Sequence, residues 1–212
     1  MMYVKEIWRY PVKSMAGESL AGATLTPLGI AGDRAVQVIN PSGRIVTARS
    51  HPGLLGHKSS IGPDGVPLVD GRPWTDASVL ADVRAIAGPW AALIHNETAG
   101  RFDVLPLLVA TDGAIAAFGR DRRRLRPNIV IGGVEGLEER TWPGRKLRIG
   151  RVTIDIDSLR GRCGMTTYDP DTLDQDPTVL RDIVKRFEGK LALNCAVEEG
   201  GAIEINQKVE FV

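Results

Sequence analysis

The chain of 212 residues has room for one large domain or two small ones closely joined, and its 43% hydrophobic and 25% charged residues exclude a disordered protein. Lys and Arg number 27 against 26 Asp and Glu, a formal net charge of +1, so no bulk field recruits nucleic acid or an anionic membrane and any anion site is local. The two cysteines, Cys163 and Cys195, exclude a disulfide scaffold, a CxxC redox pair and a four-thiolate iron–sulfur cluster.

The first 75 residues alternate short β-prone runs with turns: Val4 to Tyr10, Arg34 to Ile39 and Arg44 to Thr47, punctuated by Gly17, Gly29, Gly32, Pro41 and Gly43. Asn40-Pro41-Ser42-Gly43 predicts a hairpin turn, because Pro presets one torsion and Gly accepts a positive one. Ser78 to Ala87 predicts a short helix stopped by Gly88-Pro89, and Trp90 to His95 another strand. Leu107 to Ala110 reads as an apolar strand. Thr111-Asp112 then caps a helix of about ten residues carrying Ala114, Ile115, Ala117 and Phe118. Asn128 to Ile131 resumes a buried strand. Two more strands between Leu147 and Asp157 are parted by Gly150-Arg151, with Val152, Ile154 and Ile156 on one face. Asp176-Pro177 opens a helix whose Val179, Leu180, Ile183, Val184 and Phe187 share a face, and Gly189 ends it. Strands around Leu191 to Val197, Ala202 to Ile205 and Val209 to Val212 follow. The fold class is mainly β with a few helices (α+β), divided into an N-terminal β-rich segment, 1–75, and a main domain, 76–212.

The segment from Met1 to Lys13 carries Lys5, Glu6 and Arg9 and no apolar core, unlike a secretory signal, and the apolar stretch Leu105 to Ala110 is far short of the roughly 20 residues that span a bilayer. A soluble, cytoplasmic protein is expected. His51, His57 and His95 lack metal-site spacing, and no Walker loop, Rossmann fingerprint or GxSxG elbow is present.

Arg120, Arg122, Arg123, Arg124 and Arg126 crowd together; Arg122 to Arg124 read as a solvated loop after a helix, whereas Arg126 sits between Leu125 and Pro127 at a buried strand, where its fork of donors can hold a phosphate. Lys13-Ser14 and Gly32-Asp33-Arg34 stand at strand ends and are individually weak signals. Glu135 to Glu139 with Trp142 reads as a loop with one anchoring aromatic. Cys163 lies between glycines beside Arg162, where the guanidinium favours the thiolate, a nucleophile and soft metal ligand; a buried inert thiol is the competing reading. Cys195, between Asn194 and Ala196, reads as core.

YPVKSMAGE (Tyr10 to Glu18), GIAGDR (Gly29 to Arg34), TARSHP (Thr47 to Pro52), RLRPNIVI (Arg124 to Ile131) and RCGMTTYDPDT (Arg162 to Thr172) resemble, in this order, the molybdenum cofactor sulfurase C-terminal (MOSC) domain family with its N-terminal β-barrel segment. They resemble the branch that contains the amidoxime-reducing components and bacterial N-hydroxylamine reductases. The resemblance implies a MOSC β-barrel holding a molybdenum cofactor (Mo-molybdopterin), with Cys163 as catalytic metal ligand. It assigns cofactor contacts to Lys13, Ser14, Arg34, Arg126 and Asn128, with Arg162 preceding the ligand and Asp103, ahead of Pro106, a further position carried over. It departs from the family pattern at Val104-Leu105, at Asn194 where relatives carry an aromatic, and at Asn206-Gln207 where they often read Gly-Asp. The pyridoxal-phosphate domain of the sulfurases is not in this chain.

The implied function is reduction of small N-hydroxylated substrates, the N–O oxygen leaving as water, with electrons from an external flavin or iron–sulfur reductase, since this sequence builds neither group. The alternatives are a sulfur carrier with a Cys163 persulfide and a non-catalytic molybdopterin-binding protein.

Overall fold

The alternation at Val152, Ile154 and Ile156 becomes the strand Val152–Gly161, with those three side chains wholly buried. In the computed structural model, which describes residues 1–212, this strand is one of seven that close into a barrel. Around the ring run Ile129–Gly132, Leu107–Thr111, Lys190–Glu199, Val152–Gly161, Lys146–Ile149, Lys208–Phe211 and Met2–Arg9, which pairs back onto Ile129–Gly132. Closure leaves no strand edge along the ring. All pairs are antiparallel except Leu107–Thr111 with Ile129–Gly132, the pair bridged by a helix. The barrel interior is filled by Val4, Ile7, Val109, Ile131, Trp142 and Cys195 among others, so Cys195 is core.

Three helices flank the strands: α1, Ala77–Ala87; α2, Asp112–Phe118; and α3, Pro177–Phe187. Helix α1 covers a second core of Val12, Met15, Val36, Val38 and Leu54 built on the strands Val36–Ile39, Ile45–Val46 and Ala92–His95. The turn between the first two of these is the expected one: Gly43 has φ +74°, and Asn40 Oδ1 accepts from Ser42 N and Arg44 N. Helices α2 and α3 share a third core with Leu125 and Leu191.

Several boundaries differ from expectation for local reasons. Helix α2 has 7 residues rather than about ten, because Gly119 turns left-handed at φ +67°. In α3, Val179, Ile183 and Phe187 form the buried stripe, whereas Val184, about 100° around the helix from Ile183, is 57% exposed. Glu188, at φ +57°, makes the C-cap of α3 before Gly189. The strand expected to end at Asp157 continues to Gly161, and its register shifts against Lys190–Glu199 three times. Such bulges bend a strand at a barrel rim and re-aim its last side chains. Asn206, at φ +67°, makes the turn into Lys208–Phe211, a conformation Asn tolerates. Its N–H donates to Val4 O at 2.7 Å.

Candidate functional site

At one rim the barrel meets the second core, and a narrow cleft, open to solvent, lies in the seam. Its walls come from the segment after Met2–Arg9, the entries to Leu107–Thr111 and Ile129–Gly132, and the exit of Val152–Gly161. All eight residues singled out from the sequence line it: Lys13, Ser14, Arg34, Asp103, Arg126, Asn128, Arg162 and Cys163. Six cationic side chains face one carboxylate there, since Arg124 and Arg160 join the four already named.

The backbone that presents these groups is strained. Ser14, Arg34 and Arg126 have φ of +72°, +53° and +58°, values that non-glycine residues adopt at a cost and that concentrate at functional sites. Arg126 also precedes Pro127, which disfavours the right-handed helical region for it. Each strained residue is fastened from behind. Ser14 Oγ accepts from Ala48 N at 3.0 Å, Arg34 N donates to Tyr10 O at 2.7 Å, and Arg126 Nη2 donates to Met15 O at 2.7 Å.

Tyr10 is the platform for two of the cations: the guanidinium carbons of Arg34 and Arg126 lie 5.1 and 4.3 Å from its ring centroid, and its hydroxyl donates to Pro127 O at 3.1 Å. Burial pushes the Tyr10 hydroxyl up to about 12, and burial brings the Arg126 guanidinium down to about 10, which still leaves it charged at neutral pH. Below them the wholly buried Asp33 accepts from Tyr10 N at 2.7 Å, pairs with Arg34, and accepts from Asn128 Nδ2 at 3.2 Å. Asn128 is saturated by the protein. Its Oδ1 accepts from Leu108 N at 3.1 Å and Arg34 Nη1 at 3.3 Å, and its Nδ2 also donates to Trp8 O at 3.2 Å. It therefore braces the cleft wall and Arg34, with little hydrogen-bonding capacity left for a ligand.

Across the cleft, Asp103 gathers three cations: Lys13 Nζ at 2.9 Å, Arg49 Nη2 at 2.6 Å and Arg160 Nη2 at 3.4 Å. Burial alone would raise the Asp103 carboxyl, but the hydrogen bond and charge of Lys13, helped by Arg49 and Arg160, hold it at about 2. Burial lowers Lys13, whose Nζ also donates to Arg101 O at 2.6 Å. Arg160 Nη1 donates to Asn194 Oδ1 at 3.2 Å, so the asparagine at the departing position is part of the cleft wall.

Cys163 follows the bulged strand, in extended backbone before the 3-10 turn Gly164–Thr167, and its thiol is partly exposed to the cleft. Cys163 is therefore not a buried core thiol. Arg162 Nη2 donates to Leu125 O at 2.7 Å, while its Nε is buried without an acceptor, and burial lowers the guanidinium to about 10. A Cβ at Gly161 or Gly164 would meet nothing within 4 Å, so the chain leaves room on both sides of the thiol.

Sequence reasoning missed Tyr10, Asp33, Arg49, Arg124 and Arg160 as parts of the site, and misjudged Glu139 outside it. Asp33, Tyr10 and Arg160 adjoin residues that were recognised, but their roles depend on partners distant in sequence. Arg124 corrects the solvated-loop expectation: its side chain is 10% exposed and it bonds Thr167 O and Asp169, while Arg122 pairs with Glu6 and Arg123 with Asp121 and Asp171. Glu139 corrects the simple-loop expectation for the acidic run: it is buried and accepts from Thr111 N, Thr111 Oγ1 and Ala192 N.

No helix of the chain is long and apolar enough to cross a membrane. Among known proteins, the mitochondrial amidoxime reducing component 2 of Macaca fascicularis is 29% identical over 229 aligned positions, spanning 80% of this chain and 67% of the relative. The human mitochondrial amidoxime-reducing component 1 is 25% identical over 80% of this chain and 67% of its own length. A molybdenum cofactor sulfurase 2 of Culex quinquefasciatus is 35% identical over 68 residues, 32% of this chain and 9% of that protein. The YUAD protein of Bacillus subtilis shares the fold at a TM-score of 0.54 and 14% identity, over 100% of this chain and 96% of that one. The family model of the MOSC N-terminal beta barrel domain matches residues 1–80 and that of the MOSC domain residues 113–210. With these two matches lying on either side of the cleft-forming segment around Asp103, the chain belongs to the MOSC domain family.

Proposed function

We propose that the cleft binds a molybdenum cofactor, with Cys163 as the protein's ligand to the metal, and that the chain reduces N-hydroxylated compounds with electrons from a separate flavin or iron–sulfur reductase. The observation that carries this reading is the meeting of one partly exposed thiol with six cationic side chains in a single cleft. It agrees with the names of the relatives. The donor set suits the group: one soft thiolate for molybdenum, and planar guanidiniums for a phosphorylated pterin. The unpartnered Nε of Arg162 and the open space at Gly161 and Gly164 are two further features that a bound group would use.

When bound, the cofactor supplies a metal centre that changes oxidation state by two electrons, and the net reaction consumes two electrons and two protons to split the N–O bond into an amine and water. The chain's own part is orientation and field. Arg34 and Arg126, laid against Tyr10, are pre-organised before any anion arrives. Asp103 holds Lys13, Arg49 and Arg160 together by ion pairs. Because Lys13, Arg34 and Arg126 are largely buried in advance, little reorganisation of them accompanies binding.

Protein purified from a host that makes the cofactor is expected to carry stoichiometric molybdenum and pterin, to lose molybdenum in Cys163→Ala, and to reduce an amidoxime with an artificial electron donor. Protein without molybdenum or pterin would overturn the proposal. Cofactor without turnover would select a non-catalytic binding protein. A second reading, Cys163 as a persulfide carrier, is favoured by the match to the sulfurase. Its mark is the mass of one added sulfur at Cys163 after incubation with a desulfurase.

A further inference from the structure

The arginine run and the segment after Cys163 are about 40 residues apart in sequence yet cross-linked on the cleft wall. Arg124 Nη1 donates to Thr167 O at 3.0 Å and to Thr166 O at 3.4 Å, while its Nη2 meets Asp169 Oδ2 at 2.8 Å. Arg162 returns the link by donating to Leu125 O at 2.7 Å. The turn that carries the thiol has its own short bonds, Thr166 Oγ1 to Cys163 O at 2.9 Å and Thr167 Oγ1 to Gly164 O at 2.6 Å, and is tied to the two ends of α3 by Asp176 N donating to Thr167 O and Arg162 N donating to Gly189 O, both at 2.8 Å. Those bonds shape the turn and place it against α3, but none of them reaches the strand entry at Arg126. Arg126, whose guanidinium lies over Tyr10, follows Arg124 by two residues. The guanidinium of Arg124, with the return bond from Arg162, thus ties the thiol-bearing turn to the strand entry that bears Arg126.

We infer that Arg124, with Asp169, is the positioning pair that registers the Cys163 thiol against Arg126 across the cleft. The consequence for cofactor retention rests on the proposed function, whereas the placement of the thiol does not. The residue type follows from the acceptors: two carbonyls and one carboxylate are spread over a fork, and a lysine at this position reaches only part of that set. Arg123 supplies the contrast. It pairs with Asp171 on the outer face with side chains 37% and 67% exposed, an ion pair of the kind that contributes little.

The test uses cofactor-free protein first. Iodoacetamide alkylation of Cys163 is timed in the wild type, Arg124→Lys, Asp169→Asn and Arg123→Gln, with Cys195 as the internal control and thermal unfolding checked for each. Asp169→Asn keeps the Oδ1 that accepts from Asp171 N and Thr172 N, so the local turn survives and only the charge facing Arg124 is removed. Alkylation is expected to change severalfold in Arg124→Lys and Asp169→Asn and to stay at the wild-type rate in Arg123→Gln. In molybdenum-loaded protein the first two variants are expected to release the metal several times faster and to shift its thiolate charge-transfer absorption. Wild-type alkylation in both Arg124→Lys and Asp169→Asn, or an equal change in Arg123→Gln, would overturn the inference. Should the wild type load no molybdenum, the proposed function fails while the alkylation series still decides the positioning role.

Discussion

Replacing Asn128 by Asp exchanges one amide NH2 for a carboxylate oxygen in a site without solvent access. The NH2 donates to Trp8 O and Asp33 Oδ2, both at 3.2 Å, so the new oxygen stands against a carbonyl and a second carboxylate. Two such charges do not persist together, and the folded protein takes up one proton on the pair. An unfolded Asp titrates near about 3.9, and at about 1.36 kcal/mol per unit the retained proton costs about 5 kcal/mol at pH 7.5 and about 2 kcal/mol at pH 5.5. These are ceilings, because Arg34 lies 3.3 Å from Oδ1 and offsets part of the charge. The sign follows from the raised folded pKa: the destabilisation is absent below about pH 4 and grows as pH rises, by up to about 1.4 kcal/mol per pH unit. Urea unfolding of wild type and Asn128→Asp at pH 5.5, 6.5 and 7.5, with equal denaturant slopes, measures the difference directly. A gap below about 1 kcal/mol at pH 7.5, or one that does not change with pH, would refute the bracing role assigned to Asn128.

Asp103 runs the opposite way. Its carboxyl, held at about 2 by Lys13, Arg49 and Arg160 against the effect of burial, contributes stability that is present above about pH 4 and lost as pH falls toward 2. Asp103→Asn should flatten the acid limb of stability by roughly 1 kcal/mol, and an unchanged limb counts against the cluster. In the native protein one thiol should react with a disulfide reagent and the second only in denaturant, because Cys195 is wholly buried and burial pushes its thiol up; two fast thiols would contradict the core position. Ile183→Ala should cost about 2–4 kcal/mol in urea unfolding and Val184→Ala less than about 0.5, since only the first is buried. Gly17→Ala should lower thermal stability strongly, because a Cβ there would lie 2.3 Å from Arg9 O and 2.5 Å from the Tyr10 ring; a neutral substitution would show that the Tyr10 platform can move freely.

What was legible in the sequence was local. The strand at Val152, Ile154 and Ile156 and the start of α3 at Asp176-Pro177 follow from periodicity and capping, and the eight cleft residues followed from motif resemblance. What was not legible needed partners far along the chain. Arg124 looks solvated until the carbonyls of Thr166 and Thr167 arrive beside it, and Glu139 looks like surface until Ala192 N is presented to it. Val184 shares the apolar face in the sequence pattern, but at the edge of that stripe it stays exposed. Asn128 reads in the sequence as a ligand contact; its bonds to Trp8, Asp33, Arg34 and Leu108 add the role of a brace, which needs the folded chain to be seen.

The closing stave of the barrel sets an order of events. Met2–Arg9 completes the ring by pairing with Ile129–Gly132 on one side and, through Met2 and Tyr3, with Val209 and Lys208 on the other. The cleft walls hang from that same ring, drawing on residues from Lys13 to Asn194. Pairings so distant in sequence form late, since loop closure comes before the contacts that reward it. A nascent chain still lacking Lys190–Glu199 has neither a complete ring nor the Asn194 wall, so the cleft as described exists only once the C-terminal strands have been made.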